Sequence, residues 1–405
     1  MTIYRPREIT KILIESLENM PVVVMSGMRQ TGKSTLLLNQ PQLKKRRYIS
    51  FDDFNTLELA RNNPEELLSG KEPITIDEAQ KYPEILNVIK KEVDRNRKPG
   101  RFLLSGSANF LLLKKVAESL AGRAVYITLY PFTRREMLGA TKEKPALAYF
   151  IDIGTFPKRK IKPVSLKEIL KGGMPSVCLG QVKKPEVWFR GYEQTYLERD
   201  IRSLSQVADL ASFRNLLHLV ALRNTKILNI SELARDAKLN VVTTSRYLSL
   251  METSFILSRI QPYFKNKTSR LIKSPKVYLS DTGLSAYLEE IKDSNVNELV
   301  RGSLLESYVA QNLEGIFSAY YPDVKINYWN IQGRHEVDFI IEVGGRTLAI
   351  EVKSGSRWKE SDLVGIKAYL ASNKECLGGL LAYNGREVLK VDRKIWAVPV
   401  NLLLS

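Results

Sequence analysis

The chain is poor in the residues that build disulfide frameworks and zinc sites. Its 405 residues include only two cysteines and two histidines. Cys178 and Cys376 are too far apart in the sequence to define a disulfide framework, and so few cysteines and histidines nearly exclude a Cys/His zinc site. We therefore expect a protein of a reducing, cytoplasmic compartment.

Long apolar runs are also missing. No stretch of about 18 apolar residues occurs, so we expect no membrane-spanning helix, and the first residues lack the apolar core of a secretion signal. Hydrophobic residues nevertheless make up 44% of the chain and charged residues 26%, which excludes disorder as the main state. At roughly 100–200 residues per domain, the length predicts two to four domains.

Acidic residues are outnumbered by basic ones. The chain has 62 Lys and Arg against 44 Asp and Glu, a net charge of +18. The excess is +8 in residues 1–150, +10 in residues 151–290 and zero in residues 291–405. A net positive charge favours a polyanionic partner, and the uneven distribution indicates three regions with different roles.

Short apolar runs alternate with helical patterns in the first 110 residues. This alternation predicts an α/β fold with a parallel sheet. The predicted strands are 21–26, 48–51, 74–76 and 101–105. We predict three domains, at residues 1–160, 161–290 and 291–405.

A phosphate-binding motif follows the first predicted strand. It matches G-x-x-x-x-G-K-S/T between a strand and a helix, the context in which this motif binds nucleotides. The candidate nucleotide-binding residues are Gly27, Met28, Arg29, Gln30, Thr31, Gly32, Lys33, Ser34 and Thr35. We expect Lys33 to bind the β- and γ-phosphates of ATP and the Ser34 hydroxyl to bind Mg²⁺; the alternative is a chance glycine-rich turn.

Two carboxylates end the third predicted strand. Asp77 is the candidate second ligand of Mg²⁺, and Glu78 is the candidate base that activates water. The pair favours hydrolysis over simple nucleotide binding. Alternatively, the two acids are the favourable first-turn charges of a helix.

Two further positions are candidates for sensing or stabilising the γ-phosphate. Ser107 and Asn109 follow the fourth predicted strand, and either is a candidate sensor or part of a plain turn. Arg123 follows Gly122 and is a candidate arginine finger for a neighbouring subunit. The alternative is a cation that stabilises a helix carboxyl end.

These motifs together resemble the prokaryotic AAA+-like ATPases of the MNS-type clade. The residues that support the resemblance are Gly27–Ser34, Ile74–Gln80, Ser105–Ser107, Leu120–Arg123 and Tyr130–Thr133. Members commonly have a C-terminal domain of unknown function, which the chain resembles from Gly172–Pro175 through Tyr192–Asp200 to its end. The resemblance implies ATP binding and hydrolysis, and the roles of Ser107 and Arg123 depend on it.

The middle of the chain has the pattern of a winged helix. Residues 230–237 and 241–251 predict a helix-turn-helix, with Ser231 as the first cap. The runs 255–260 and 276–279 then predict a hairpin whose connection is rich in Lys and Arg. Residues 226–276 contain 10 basic and 3 acidic residues. We expect DNA contact here; the alternative is a lid or a protein-docking module.

A second carboxylate cluster is expected near the end of the chain. Strands around Asp338 and Glu351, joined by a Gly344-Gly345 turn, form a predicted hairpin. Glu351 and Lys353 point to the same side of their strand, and Glu306 lies in a predicted helix. Carboxylates are ligands that Mg²⁺ prefers, and such a site activates water for phosphodiester cleavage.

This cluster resembles the PD-(D/E)xK restriction-endonuclease-like fold. The resemblance places Asp338, Glu351 and Lys353 in the metal and lysine positions, and Glu306 in the position of the helical acid. Val337 stands where the family usually has proline. The alternatives are a structural Asp–Lys pair or a nuclease fold used only for binding.

The sequence therefore predicts an α/β protein with a parallel-sheet P-loop ATPase core, a helical and winged-helix middle and a restriction-endonuclease-like end. Its expected ligands are ATP and Mg²⁺, and its expected partners are DNA and further copies of itself. The alternative function is a slow ATP-gated switch or scaffold for a protein partner, with an inactive nuclease-like domain.

Overall fold

A computed structural model of the chain describes residues 4–106, 118–159, 161–202, 207, 209–264, 273–331 and 334–405. The chain divides into two compact units. The first consists of Met1–Tyr130, Tyr192–Ala208 and Ser249–Ile256; the second consists of Pro131–Gly191, Asp209–Leu248 and Leu257–Ser405. The predicted domain boundaries after residues 160 and 290 stay predictions.

The first unit contains a five-stranded parallel sheet in the order β2-β3-β4-β1-β5. Its elements are α1 (Thr10–Asn19), β1 (Val22–Ser26), α2 (Lys33–Asn39), β2 (Arg47–Ser50), α3 (Phe54–Asn62), α4 (Pro64–Leu67), β3 (Ile74–Asp77), α5 (Ile85–Arg95), β4 (Phe102–Ser105) and β5 (Ala124–Thr128). The four predicted strands are confirmed, and β5 is an addition.

Burial explains why these runs form strands. Every residue of β1, β3 and β4 is buried, as expected for parallel strands covered on both faces. Each fully buried Val or Ile side chain contributes about 1.5–3 kcal/mol. The carboxyl ends of the strands therefore lie on a well-packed scaffold, and the phosphate motif and the two acids lie at the ends of β1 and β3 there.

The second unit is built on a mixed sheet of eight strands in the order β12-β13-β11-β10-β9-β8-β6-β7. Its strands are β6 (Leu257–Pro262), β7 (Lys276–Leu279), β8 (Lys325–Ile331), β9 (His335–Val343), β10 (Arg346–Lys353), β11 (Cys376–Tyr383), β12 (Leu389–Asp392) and β13 (Ile395–Pro399). The α/β class is thus confirmed, with a parallel sheet first and a mixed sheet second.

The described chain also contains further helices. They are α6 (Arg134–Leu138), α7 (Ala146–Ile153), α8 (Leu166–Lys171), α9 (Pro175–Cys178), α10 (Pro185–Thr195), α11 (Leu210–Ala221), α12 (Ile230–Asp236), α13 (Val241–Thr253), α14 (Thr282–Leu288), α15 (Glu298–Tyr320), α16 (Val364–Ser372) and α17 (Val400–Leu403). A π-helical turn, Tyr196–Ile201, continues α10. Within the described ranges, none of these helices combines the length and apolarity needed to cross a bilayer.

The predicted helix-turn-helix is present as α12 and α13. Its first helix is capped by Asn229, whose side chain accepts the N–H of Glu232 at 3.1 Å, and not by Ser231. Asn240 accepts the N–H of Thr243 at 2.7 Å at the start of α13. Asn oxygens suit these positions because they satisfy amides that have no partner within the helix.

The predicted β6–β7 hairpin is confirmed, and its two strands also belong to the eight-stranded sheet. β6 pairs with β8 in parallel, with Gln261 opposite Asn327. Ile260 of β6 and Tyr278 of β7 are buried in the same core as Phe339 of β9. An apolar hairpin face must be covered, and here the sheet and α15 cover it.

Candidate functional site

The phosphate motif forms a tight loop between β1 and α2. Gly27 has a φ of 147° and Gly32 a φ of 94°, conformations that glycine adopts without strain. A side chain at Gly27 would place its Cβ 2.3 Å from the carbonyl oxygen of Leu129. The backbone therefore needs glycine at this point. Gln30, with a φ of 61°, adds a further turn.

Lys33 lies inside this loop. Its buried ammonium donates to the carbonyl oxygens of Gly27 at 3.0 Å and Met28 at 2.9 Å. The Thr31 hydroxyl also donates to Met28, at 2.9 Å. Arg7 supports the loop from outside, since its guanidinium donates to the carbonyl of Thr31 at 2.8 Å. The Lys33 ammonium is thus hydrogen-bonded to two carbonyl oxygens of the loop. Phosphate oxygens can take the place of these carbonyls as its partners.

The two acids lie at the carboxyl end of β3, with Asp77 as its last residue and Glu78 directly after it. Asp77 is buried, and its carboxylate accepts the Tyr48 hydroxyl at 2.7 Å and the N–H of Glu78 at 3.1 Å. Glu78 has a left-handed backbone, with a φ of 54°, which is uncommon for a residue other than glycine. Such outliers are concentrated at functional sites. Tyr48 was not predicted from the sequence.

Burial gives Glu78 an unusual pKa. Burial first, and then the charges of Asp77 and Asp52, raise the pKa of the Glu78 carboxyl, while Lys33 and a hydrogen bond from Gln80 lower it. A carboxylate with a raised pKa is a better proton acceptor near neutral pH. Because Lys33 acts on Glu78, the loop after β1 and the acid after β3 belong to one electrostatic site.

The strand β4 lies between β3 and β1 and ends at the same edge. Ser105, its last residue, is fully buried, and its hydroxyl has no hydrogen-bond partner among the described residues. The candidate sensors Ser107 and Asn109 lie outside the described residues. Their roles stay predictions.

Arg123 lies at the opposite end of the sheet from the phosphate loop. It precedes β5, whose first residue, Ala124, pairs with Val22 at the start of β1, whereas the loop follows the end of β1. Its guanidinium forms an ion pair with Asp94 at 2.5 Å. Five residues of strand span about 15 Å, so Arg123 cannot reach the nucleotide site of its own chain. The predicted finger role remains a prediction that requires a second copy.

The four candidate residues of the second cluster are brought together by β9, β10 and α15. The turn at Gly344 and Gly345, both with positive φ, joins the two strands as predicted. The pairing places Ile350 opposite Phe339, so the next step sets Glu351 against Asp338. There the Asp338 carboxylate accepts the N–H of Val352 at 2.9 Å.

The acids of this cluster interact through their charges. Burial and the neighbouring Asp338 carboxylate raise the pKa of Glu306 and that of Glu351. Lys353 donates to Glu351 at 2.7 Å and opposes the rise at that carboxyl. The predicted residues therefore share one buried site.

A fifth residue, Lys276 of β7, occupies the space between the acids. Its ammonium lies 3.1 Å from Glu306, 3.4 Å from Asp338 and 2.5 Å from Glu336. Burial alone would lower the pKa of Lys276, but these three carboxylates raise it well above its usual range. The Tyr278 hydroxyl donates to Glu306 at 2.6 Å.

This arrangement departs from the predicted metal site. In the described part of the chain, no three His, Cys, Asp or Glu side chains are placed to hold a metal ion. The Lys276 ammonium lies within ion-pair distance of both Glu306 and Asp338. Glu306, Asp338, Glu351 and Lys353 are neighbours as predicted, but as they stand they do not fit Mg²⁺.

Comparisons with known proteins match three successive segments of the chain. A family model described as an AAA domain matches residues 19–138. A domain of unknown function, DUF8612, matches residues 166–295, and another, DUF4143, matches residues 301–403. The match to an AAA domain supports nucleotide binding by the loop that contains Lys33.

Relatives and solved structures extend the comparison. The chain is 30% identical to the uncharacterised protein Rv2008c of Mycobacterium tuberculosis, over 98% of this chain and 84% of that protein. It is 23% identical to an uncharacterised protein of Haemophilus influenzae, over 85% of this chain and 92% of that protein. The solved Walker-type ATPase paby2304 of Pyrococcus abyssi is 18% identical, with a TM-score of 0.43, over 71% of this chain and 96% of that one.

The match to Rv2008c covers almost all of this chain and most of that protein. The order of the three family models adds the internal organisation. The chain therefore belongs to the Rv2008c family, with an AAA-type P-loop ATPase domain at the amino end, followed by DUF8612 and DUF4143.

Proposed function

We propose that the chain hydrolyses ATP, with Mg²⁺, to ADP and phosphate. The supporting observation is the placement of a buried lysine and two buried or half-buried acids at one edge of the parallel sheet. Lys33 lies after β1, Asp77 is the last residue of β3, and Glu78 follows it. An anion-binding loop with a neighbouring acidic pair is the arrangement that phosphoryl transfer requires.

The residues of the loop fit a nucleotide phosphate. Gly27 approaches Leu129 too closely for any side chain, so no Cβ obstructs the backbone at this point of the loop. Lys33 exchanges its bonds to the carbonyls of Gly27 and Met28 for bonds to the phosphates. Ser34 and Asp77 are the residues that would hold Mg²⁺, which neutralises phosphate charge when bound.

Glu78 accepts the proton of the attacking water. Its carboxyl lies beside Asp77 and Gln80, and its raised pKa favours proton uptake. The Tyr48 hydroxyl holds the Asp77 carboxylate in position. Glu78→Gln keeps the size of the side chain and removes the proton-accepting carboxylate.

The test is ATP turnover by the full chain with Lys33→Ala. We expect at least a 100-fold loss, since the cation on the phosphates is worth several kcal/mol in the transition state. Lys45→Ala is the matched control, because Lys45 is an exposed lysine of the same unit. Turnover that survives in Lys33→Ala would contradict the site assignment.

We also propose that ATP hydrolysis is coupled to DNA binding by the middle of the chain. The support is the helix-turn-helix of α12 and α13 and the basic excess of residues 226–276. Lys276 is one of the ten basic residues, but its ammonium is buried among carboxylates and is not available to DNA. The alternative, an ATP-gated scaffold for a protein partner, predicts turnover that does not respond to DNA.

The end of the chain has the element order expected of a restriction-endonuclease-like fold. The helix α15 is followed by β8, β9, β10, α16 and β11. This order supports the fold resemblance, whereas the ammonium within the acid cluster does not support metal-dependent cleavage. We therefore assign a binding role to this region.

A further inference from the structure

We propose that Lys276 is the resident cation of the carboxylate cluster in the second unit, and that this cluster consequently binds no divalent metal ion. The cluster consists of Glu306, Glu336, Asp338 and Glu351. The inference concerns a sheet that takes no part in the proposed ATP hydrolysis, so the two stand or fall separately.

The ammonium of Lys276 has the partners that a bound cation would have. Its nitrogen lies within 3.4 Å of a carboxylate oxygen of each of Glu306, Asp338 and Glu336. The side chain of Lys276 is 4% exposed, and those of Glu306 and Asp338 are 15% and 10% exposed. A buried ammonium surrounded in this way satisfies the acids that would otherwise need a metal.

The spacing also suits an ammonium and not Mg²⁺. The nitrogen lies 3.1 Å from Glu306 and 3.4 Å from Asp338, the range of charged hydrogen bonds and ion pairs. Magnesium requires oxygen ligands at about 2.0–2.1 Å. The carboxylates would have to approach one another, and the lysine would have to leave, before the metal could bind.

The backbone holds Lys276 in place. It pairs with Ile260 across the β6–β7 hairpin and forms a bridge with Ile227 on its other side. Removal of the ammonium leaves the largely buried Glu306 and Asp338 uncompensated, which is strongly unfavourable. Lys276 is therefore a fixed component of the fold and not a gate that millimolar Mg²⁺ displaces.

Glu351 shows that oxygen ligands are present once the lysine is removed. One of its carboxylate oxygens is buried and has no hydrogen-bond partner among the described residues, although the other accepts Lys353 at 2.7 Å. Once the ammonium is gone, rotation of the Glu306 and Asp338 side chains toward this oxygen would assemble a hard ligand set. Loss of the positive charge at position 276 should thus create a cation site that the natural chain lacks.

The experiment measures Mn²⁺ binding to the full chain, without nucleotide, by the electron paramagnetic resonance of free Mn²⁺. The natural chain and Asp338→Asn should give the same titration, because any Mn²⁺ at the nucleotide site is common to both. Lys276→Met should gain a bound Mn²⁺ that disappears again when Asp338→Asn is added. Lys273→Met, which removes an exposed lysine of the same segment, should gain none.

Two results would overturn the proposal. One is Mn²⁺ binding by the natural chain that Asp338→Asn removes. The other is a folded Lys276→Met chain that gains no site. If Lys276→Met does not fold, the double variant Lys276→Met with Glu336→Gln, which has one unpaired acid fewer, takes its place in the titration. The comparison of the natural chain with Asp338→Asn does not depend on either variant and decides the first result alone.

Discussion

At the scale of residues, two buried lysines have opposite surroundings. Lys33 donates to the carbonyl groups of Gly27 and Met28, whereas Lys276 donates to three carboxylates. Carbonyl partners are given up readily to a phosphate, but a buried ion pair is costly to break. The same residue type therefore provides a ligand-binding charge in one sheet and a structural charge in the other.

Glu314 of α15 provides a pH-dependent contribution to stability. Burial raises the pKa of its carboxyl to about 7, although the hydroxyl of Ser258 donates to it and lowers the pKa. The folded chain thus keeps a proton that the unfolded chain loses near pH 4.5. Stability from this group is present below about pH 4.5 and is lost as the pH rises to about 7.

We predict that Glu314→Gln flattens this dependence. Between pH 5 and pH 7.5 the natural chain should lose up to about 3 kcal/mol more of its unfolding free energy than the variant, measured by urea denaturation. Burial also raises the pKa of Glu289 to about 7 and that of Asp281 to about 6. The unfolding free energy of the Glu314→Gln variant should therefore still fall with pH, but less steeply. Glu298→Gln, an exposed acid of the same helix, is the control, and equal slopes for Glu314→Gln and the natural chain would contradict the prediction.

At the scale of elements, local patterns were sufficient for much of the fold. The Gly344-Gly345 turn predicted the β9–β10 hairpin, and the apolar runs predicted β1 to β4. The β5 strand was missed because Ala124–Thr128 is only partly buried and has a weak apolar pattern. The membership of β6 in the larger sheet could not be predicted, because its pairing with β8 joins segments about 65 residues apart, and such pairing leaves no local pattern.

The candidate sites show the same limit. The phosphate motif is continuous in the sequence, so Lys33 and Ser34 could be named from it. Lys276 could not be named, because it is 30 residues from Glu306 and 62 from Asp338 and stands in a stretch of basic residues. Its pairing depends on the neighbouring strands of the folded sheet.

The connection between β6 and β7 is the element for which we predict DNA contact. Lys265 and Lys267 lie outside the described residues, so the prediction rests on the helix-turn-helix and on charge. Lys265→Glu with Lys267→Glu should weaken duplex binding by about tenfold or more and lower the slope of log K against log salt by about 2. Lys44→Glu with Lys45→Glu makes the same charge change on exposed lysines of the first unit, and an unchanged slope in the wing variant would contradict the prediction.

At the scale of the whole molecule, the net charge of +18 is unevenly distributed along the chain, and part of the basic charge is compensated by buried acids. Residues 291–405 are neutral, and Lys276 is compensated by acids of that region. Lys276 lies in the segment matched by DUF8612, and its partners lie in the segment matched by DUF4143. The two matched segments thus contribute strands to one sheet. The excess of basic residues lies before residue 291.

We also propose self-association, with Arg123 acting on the nucleotide of a neighbouring copy. Arg123→Ala should lower turnover at least tenfold, and mixing it with Lys33→Ala should restore part of the turnover, because mixed pairs contain one complete site. Asp94→Asn removes the partner of Arg123 in its own chain and should retain activity. A mixture as inactive as its components would contradict the proposal.

The most direct test of the central claim is the release of phosphate from ATP by the Glu78→Gln chain, measured together with ATP binding. Glu66→Gln, an exposed acid of the same unit, is the control. We expect binding close to that of the natural chain with at least a 100-fold loss of phosphate release. Phosphate release at the natural rate by Glu78→Gln would contradict the account.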